Sequence, residues 1–198
     1  IHFQKRDEDE KLEFKEKYSA QFKPVFNKHT GLKEPILHDK LKKEFKKQDI
    51  IDLTMKEING MLNTEGGYVV CGVRDSKNTN DGKPEIVGIK EINSLNNFEN
   101  YHNNVRIDLR NRLGVAGASH VKSKIVNDEE ISGGKSVLVF IVKPNKILPA
   151  PFLAKGDLEI EIGRDREQFF IREAESTVEL KGYLEIEGWS KTRFSKEN

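Results

Sequence analysis

The chain has 198 residues, 35% hydrophobic and 34% charged, enough for one domain with a substantial core and a strongly charged surface. With 34 basic and 33 acidic residues the net charge is +1, so any nucleic-acid binding must come from local clusters rather than from a basic protein as a whole. No run approaches the roughly 18 consecutive apolar residues of a membrane span, the charged start shows no secretory signal pattern, and a lone cysteine, Cys71, excludes an internal disulfide and fits a cytoplasmic setting.

Four carboxylates stand in a row from Asp7 to Glu10. Leu12-Glu13-Phe14-Lys15 then alternates, which predicts a short, half-buried strand with Glu13 and Lys15 on one face. Residues 19–38 carry Pro24, Gly31 and Pro35 without a sustained period and are expected to be an irregular connection. Lys40, Lys42, Lys43, Lys46 and Lys47 form a basic cluster, readable as a solvated helix face or as a contact for nucleic acid. Asp49 is placed to cap a helix over about 49–63, with Ile51, Met55, Ile58 and Leu62 at helical steps. Gly66 and Gly67 end that helix, and Tyr68 to Val73 reads as an interior strand. The Gly-Gly corner is either a tight turn or a set of open backbone amides suited to an anion.

Ser76 to Pro84 is a polar loop, and Glu85 to Ile89 the returning strand. Asn96 or Asn97 caps a second helix carrying Phe98, Tyr101, Val105, Leu109 and Leu113, which Gly114 ends. Strands are expected near 119–127 and 135–142, joined around Ser132-Gly133-Gly134, with Val137 to Val142 a central strand. Further strands are expected at 157–162 and 167–172 with a turn at Gly163 to Arg166. Thr177 is read as the cap of a last helix, and the end of the chain as a polar tail. Strands and helices mix without strict alternation, so the class is α+β, with mixed β-sheets and flanking helices.

Glu8 and Glu13 are five residues apart, a spacing that neither helix nor strand turns into convergence. They belong either to an acidic surface run or, if the chain bends near residue 10, to a cluster with Asp75 at the end of the glycine-corner strand. A three-carboxylate cluster is unstable empty and would take a hard divalent cation, Mg²⁺ or Mn²⁺. Such an ion activates water and stabilises charge in phosphodiester cleavage, and Lys15 would add a point charge on the scissile phosphate.

Glu8-x-x-x-x-Glu13-Phe14-Lys15, an amphipathic helix, Asn63-Thr64-x-Gly66-Gly67 and Gly72-Val73-x-Asp75 resemble, in that order, the Alba-like domain shared with Schlafen proteins. The similarity continues to Phe170-Ile171-Arg172 and Ser176-Thr177. It assigns residues 5–185 to a single-lobe, prokaryotic-type Schlafen-like Alba-type domain and leaves 186–198 as a polar C-terminal tail. The resemblance implies an α+β sandwich that associates with nucleic acid. In Schlafen members it implies a metal-dependent endoribonuclease acting on tRNA or other structured RNA. By the family's motif the metal-binding trio maps to Glu8, Glu13 and Asp75, with Lys15 beside it. Nucleic-acid contacts are expected at Lys40, Lys42, Lys43, Lys46, Lys47, Asn63, Gly66, Gly67 and Arg172. Two departures stand out. Arg74 replaces the first acid of the family's Gly-Val-Asp-Asp, and one lobe stands where Schlafen cores pair two, so a homo-oligomer or a neighbouring domain is expected to complete the groove. The alternative is a non-catalytic DNA- or RNA-binding or transcription-regulatory module using the same surface.

Other signals lead nowhere. Gly134-Lys135-Ser136 resembles a phosphate-loop ending but joins two strands, so it is read as a hairpin turn. The five histidines lack metal-ligand spacing, Cys71 reads as a packing residue, and Phe169 and Phe170 as core rather than base-stacking platforms.

Overall fold

The computed structural model describes residues 12–16, 51–89, 98–127, 134–146, 152–154 and 166–194. The expectations placed on Glu8, on the lysines between 40 and 47, on the 19–38 connection, on the caps at Asp49 and Asn96 or Asn97, and on a 157–162 strand lie outside the described residues.

In chain order the elements are β1 (Leu12–Lys15), helix α1 (51–63), β2 (Gly67–Cys71), β3 (Val73–Arg74), a 3₁₀ turn (Ser76–Asn78), β4 (Glu85–Ile86), α2 (Phe98–Ser119), β5 (Val121–Val126), β6 (Val137–Val142), β7 (Phe152–Ala154), β8 (Arg166–Glu173), β9 (Ser176–Leu180) and α3 (Tyr183–Phe194). β1, β2, β6 and β5 form a four-stranded sheet in that order; β3 pairs with β4, and β7, β8 and β9 form a third sheet. β1 and β2 run parallel and the other pairs antiparallel. The class is thus the expected α+β with mixed sheets. The most apolar run, Val137–Val142, is interior between β2 and β5, as its hydrophobicity requires. Among the described residues no helix is long and apolar enough to cross a membrane.

Strand register decides what each face carries. Glu13 stands opposite Val69 and Lys15 opposite Cys71, so both charged residues share a face with the core residues Val69, Cys71, Leu138 and Phe140. That face packs against Ile51, Met55, Ile58, Met61 and Leu62 of α1, Tyr101, Val105, Leu109 and Leu113 of α2, and Phe170 of β8. Leu12, Phe14, Val70, Val137 and Val139 form a second cluster with Val73 and Ile86 on the other face. β1 is therefore buried on both sides, not on one as its alternation predicts.

Four further expectations are corrected. The single strand from Tyr68 to Val73 is two strands, because Gly72 adopts φ +95° and breaks the ladder. Its amide still reaches the Lys15 carbonyl at 2.7 Å while its own carbonyl accepts from Val87 and Gly88. Gly114 does not end α2 but bends it, and the helix resumes to Ser119. Thr177 lies in β9 rather than at a helix cap, the last helix starting at Tyr183. Where a polar tail from 186 is expected, α3 continues to Phe194. The Arg193 guanidinium holds it down, pairing with Glu65 at 2.9 Å and donating to the Thr64 carbonyl.

Candidate functional site

The residues singled out in the sequence divide into a buried ionic cluster, a helix-to-strand corner and a turn. The cluster forms where β1, α1 and the β8–β9 hairpin meet. Glu13 accepts from Lys15 Nζ at 2.5 Å through Oε1 and from Arg172 Nη2 at 2.7 Å through Oε2. Glu57 of α1 accepts from Arg172 Nη1 at 2.8 Å and from Lys15 at 3.4 Å, and the Thr177 hydroxyl donates to its Oε2. Two carboxylates thus face two cations. The Arg172 side chain is only 1% exposed and that of Glu13 8%, so the pairing is dry. Burial pulls the Lys15 pKa down, but the Glu57 and Glu13 carboxylates beside it outweigh that and leave it raised.

Sequence reasoning named Glu13, Lys15 and Arg172 but missed Glu57 as their partner. Its signal was faint: Glu57 precedes Ile58 on α1, one step off the apolar stripe, where a solvated glutamate is the ordinary expectation. Arg172, expected on a nucleic-acid surface, is buried because both of its terminal nitrogens are turned to carboxylates.

The corner is equally committed. Asn63 is fully buried; its Nδ2 donates to the Phe170 carbonyl at 2.8 Å and to Asn59 Oδ1 at 3.3 Å. The Gly66 amide, expected to be open to a phosphate, donates to the Met61 carbonyl at 2.9 Å and closes the end of α1. A Cβ at Gly66 would lie 2.5 Å from the Val142 carbonyl oxygen, so glycine is required there by packing as well as by φ +72°. Gly67 opens β2 opposite Val142.

Asp75 follows β3 and caps the 3₁₀ turn, its Oδ1 accepting from Ser76 Oγ at 3.1 Å and from the Lys77 amide at 3.4 Å. Arg74, standing where an acid was expected, pairs with Glu85 at 2.7 Å and Glu16 at 3.4 Å at the surface.

The scan against family models matches the Schlafen, AlbA_2 model over residues 8–181. The chain belongs to this family. Its membership is compatible with nucleic-acid processing and suggests an interaction with nucleic acid. No curated protein and no solved structure matches the chain.

Whether a Schlafen-type carboxylate trio fits Mg²⁺ or Mn²⁺ here turns on free oxygens. A small hard cation needs several oxygen donors around one point. Among the described residues no group of three or more His, Cys, Asp or Glu side chains could hold a metal ion. Both oxygens of Glu13 are engaged by cations, and so are those of Glu57. Of the expected trio, Glu13 and Asp75 are among the described residues, and there Glu13 has each of its oxygens turned to a cation.

Proposed function

We propose that this Schlafen-family chain is a nucleic-acid-binding module that engages the backbone of RNA or DNA, with the Glu13–Arg172 cluster holding the domain together. The single observation that carries this is the pairing of both Glu13 oxygens with Lys15 and Arg172. A carboxylate neutralised by two cations in a dry site has little to offer a metal. Freeing it would leave Arg172 buried beside Glu57 alone, at a cost on the order of several kcal/mol.

A second reading rests on a different observation: the family match begins at residue 8, so Glu8 falls within it together with Glu13 and Asp75. On that reading the domain is a divalent-metal-dependent endoribonuclease acting on tRNA or other structured RNA. Glu8, Glu13 and Asp75 would hold Mg²⁺ or Mn²⁺, Lys15 would meet the phosphate, and a second copy or a neighbouring domain would complete the groove.

One experiment separates the two. The protein is incubated with total tRNA and with single-stranded DNA in Mn²⁺, Mg²⁺ or EDTA, beside Asp75→Asn and Glu13→Gln variants checked for folding. Salt-sensitive binding without metal-stimulated cleavage is the expected result. Cleavage that needs the metal and is lost in Asp75→Asn establishes the nuclease and overturns the binding-only reading. Absence of binding at low salt overturns both.

A further inference from the structure

α2 and the edge strand β5 enclose a groove of about 470 Å³ lined by His102, Arg106, Arg110, Lys122, Ser119 and Ser123 with an apolar floor that includes Leu109 and Val121. Among the described residues no carboxylate lines it. Arg106 and Arg110 are exposed, four residues apart on one face of α2, and Lys122 is exposed on β5. Among the described residues none of the three forms an ion pair. This sets them apart from Arg74, Arg112, Arg172 and Arg193, each of which meets a carboxylate. His102 ties the walls together, its Nε2 lying 3.0 Å from the Ser123 carbonyl oxygen and so donating to it.

Within the described residues Arg106 and Arg110 stand beside one another on α2 with no carboxylate paired to either. Like charges a helical turn apart repel and cost stability, so their juxtaposition suits an anionic ligand rather than the fold alone. The two arginines are separated by about 6 Å along the helix axis, comparable to the step between successive phosphates of an extended strand. Among the described residues no Phe, Tyr or Trp lines the groove, and its one imidazole, His102, is tied to the Ser123 carbonyl, so recognition there is by backbone charge.

We propose that the α2–β5 groove is the track for the phosphodiester backbone of a nucleic-acid strand, with Arg106, Arg110 and Lys122 each meeting a phosphate. This rests on the nucleic-acid-binding reading above and names its surface. It shares no lining residue with the Gly66-Gly67 corner or with the Glu13 cluster. Contact with backbone alone makes the binding indifferent to sequence.

The test is fluorescence anisotropy with a labelled single-stranded oligonucleotide over a salt series, comparing the parent with Arg106→Ala/Arg110→Ala and with Lys191→Ala, an exposed lysine of α3 outside the groove. The double variant is expected to bind more weakly, with the slope of log K against log salt reduced by about 1.4, roughly 0.7 for each lost phosphate contact on a single strand. The Lys191→Ala slope is expected to match the parent. If the parent binds and the double variant keeps its slope, the groove is wrong while the binding reading stands. If Lys191→Ala falls as far per charge, binding is diffuse and the groove is again overturned. Inorganic pyrophosphate competing as well, phosphate for phosphate, as the oligonucleotide would make this a small-anion pocket and overturn the track. A parent that binds no nucleic acid at low salt sinks the functional reading itself.

Discussion

Arg172 of β8 donates to Glu13 of β1 at 2.7 Å across 159 residues of sequence, and the same guanidinium reaches Glu57 of α1. One side chain thus bridges three elements. A buried ion pair contributes little compared with a well-packed apolar equivalent, but removing one partner strands the other charge without water. Arg172→Met is therefore expected to destabilise the domain by about 3–5 kcal/mol, since it leaves the buried Glu13 and the half-buried Glu57 with Lys15 as the one cation of the cluster. Urea unfolding measures this. A loss below about 1 kcal/mol would mean that the cluster does not hold β8 to the sheet. Adding Glu13→Gln to that variant should recover part of the loss, because the stranded charge goes with it.

Asn59 and Asn63, one turn apart on α1, treat Phe170 as a neighbouring strand would. Asn59 Oδ1 accepts its amide at 3.1 Å, and Asn63 Nδ2 donates to its carbonyl at 2.8 Å. Both asparagines are fully buried. Asn59→Ala should leave the Phe170 amide buried and unpaired, at a cost of about 1–3 kcal/mol. Hydrogen exchange at that one amide distinguishes this from a general loosening. It should speed up by more than its neighbours on β8, and uniform acceleration would refute the clamp.

This pair also marks where sequence reasoning stops. Period and turn chemistry gave β1, β6 and the described part of α1 closely, because each follows from local rules about apolar spacing and glycine. The alternation of Leu12-Glu13-Phe14-Lys15 put Glu13 and Lys15 on one face, and the register places them together on that face. The reading of that face as the exposed side of a half-buried strand failed, because only the tertiary fold brings Arg172 and Glu57 over it. Asn63 looked like part of a ligand-binding corner because its partner lies 107 residues away. Gly72 shows the same limit at short range. Nothing in Val-Val-Cys-Gly-Val says that the glycine turns to φ +95° and divides the strand. Long-range polar satisfaction is the part of this site that one-dimensional spacing does not encode.

Gly66→Ala tests the corner. The position needs φ +72°, costly for any residue with a Cβ, and that Cβ would press on the Val142 carbonyl at 2.5 Å and on Pro144 at 2.8 Å. Substitution at a glycine of incompatible backbone conformation costs more than the roughly 0.4–1 kcal/mol that it gains from a stiffer unfolded chain. A net loss of stability in thermal unfolding is expected. Nucleic-acid binding by the folded fraction should stay unchanged, because the Gly66 amide is spent on Met61. Lost binding in a fully folded variant would return the corner to the interface.

Cys71 gives the domain an alkaline limit. Burial in the core pushes its thiol from 9.0 up to about 12, against a lesser pull downward from Lys15. Above about pH 9 the unfolded chain releases this proton and the folded chain keeps it, so the unfolded state binds fewer protons and stability falls as pH rises. The loss is at most about 1.4 kcal/mol per pH unit and ends near pH 12. Lys15 acts in the same direction at higher pH: its pKa is raised from 10.5, so its contribution is complete below that value and disappears as pH climbs through the folded-state pKa. Urea midpoints followed from neutral to alkaline pH should therefore bend downward from about pH 9 in the parent, and in Cys71→Ala only from about pH 10.5. At pH 8 a thiol reagent should leave the native protein unmodified and react at once in denaturant. Rapid labelling of the folded protein, or an unchanged alkaline slope in Cys71→Ala, would show that this thiol is neither sealed nor the group that titrates.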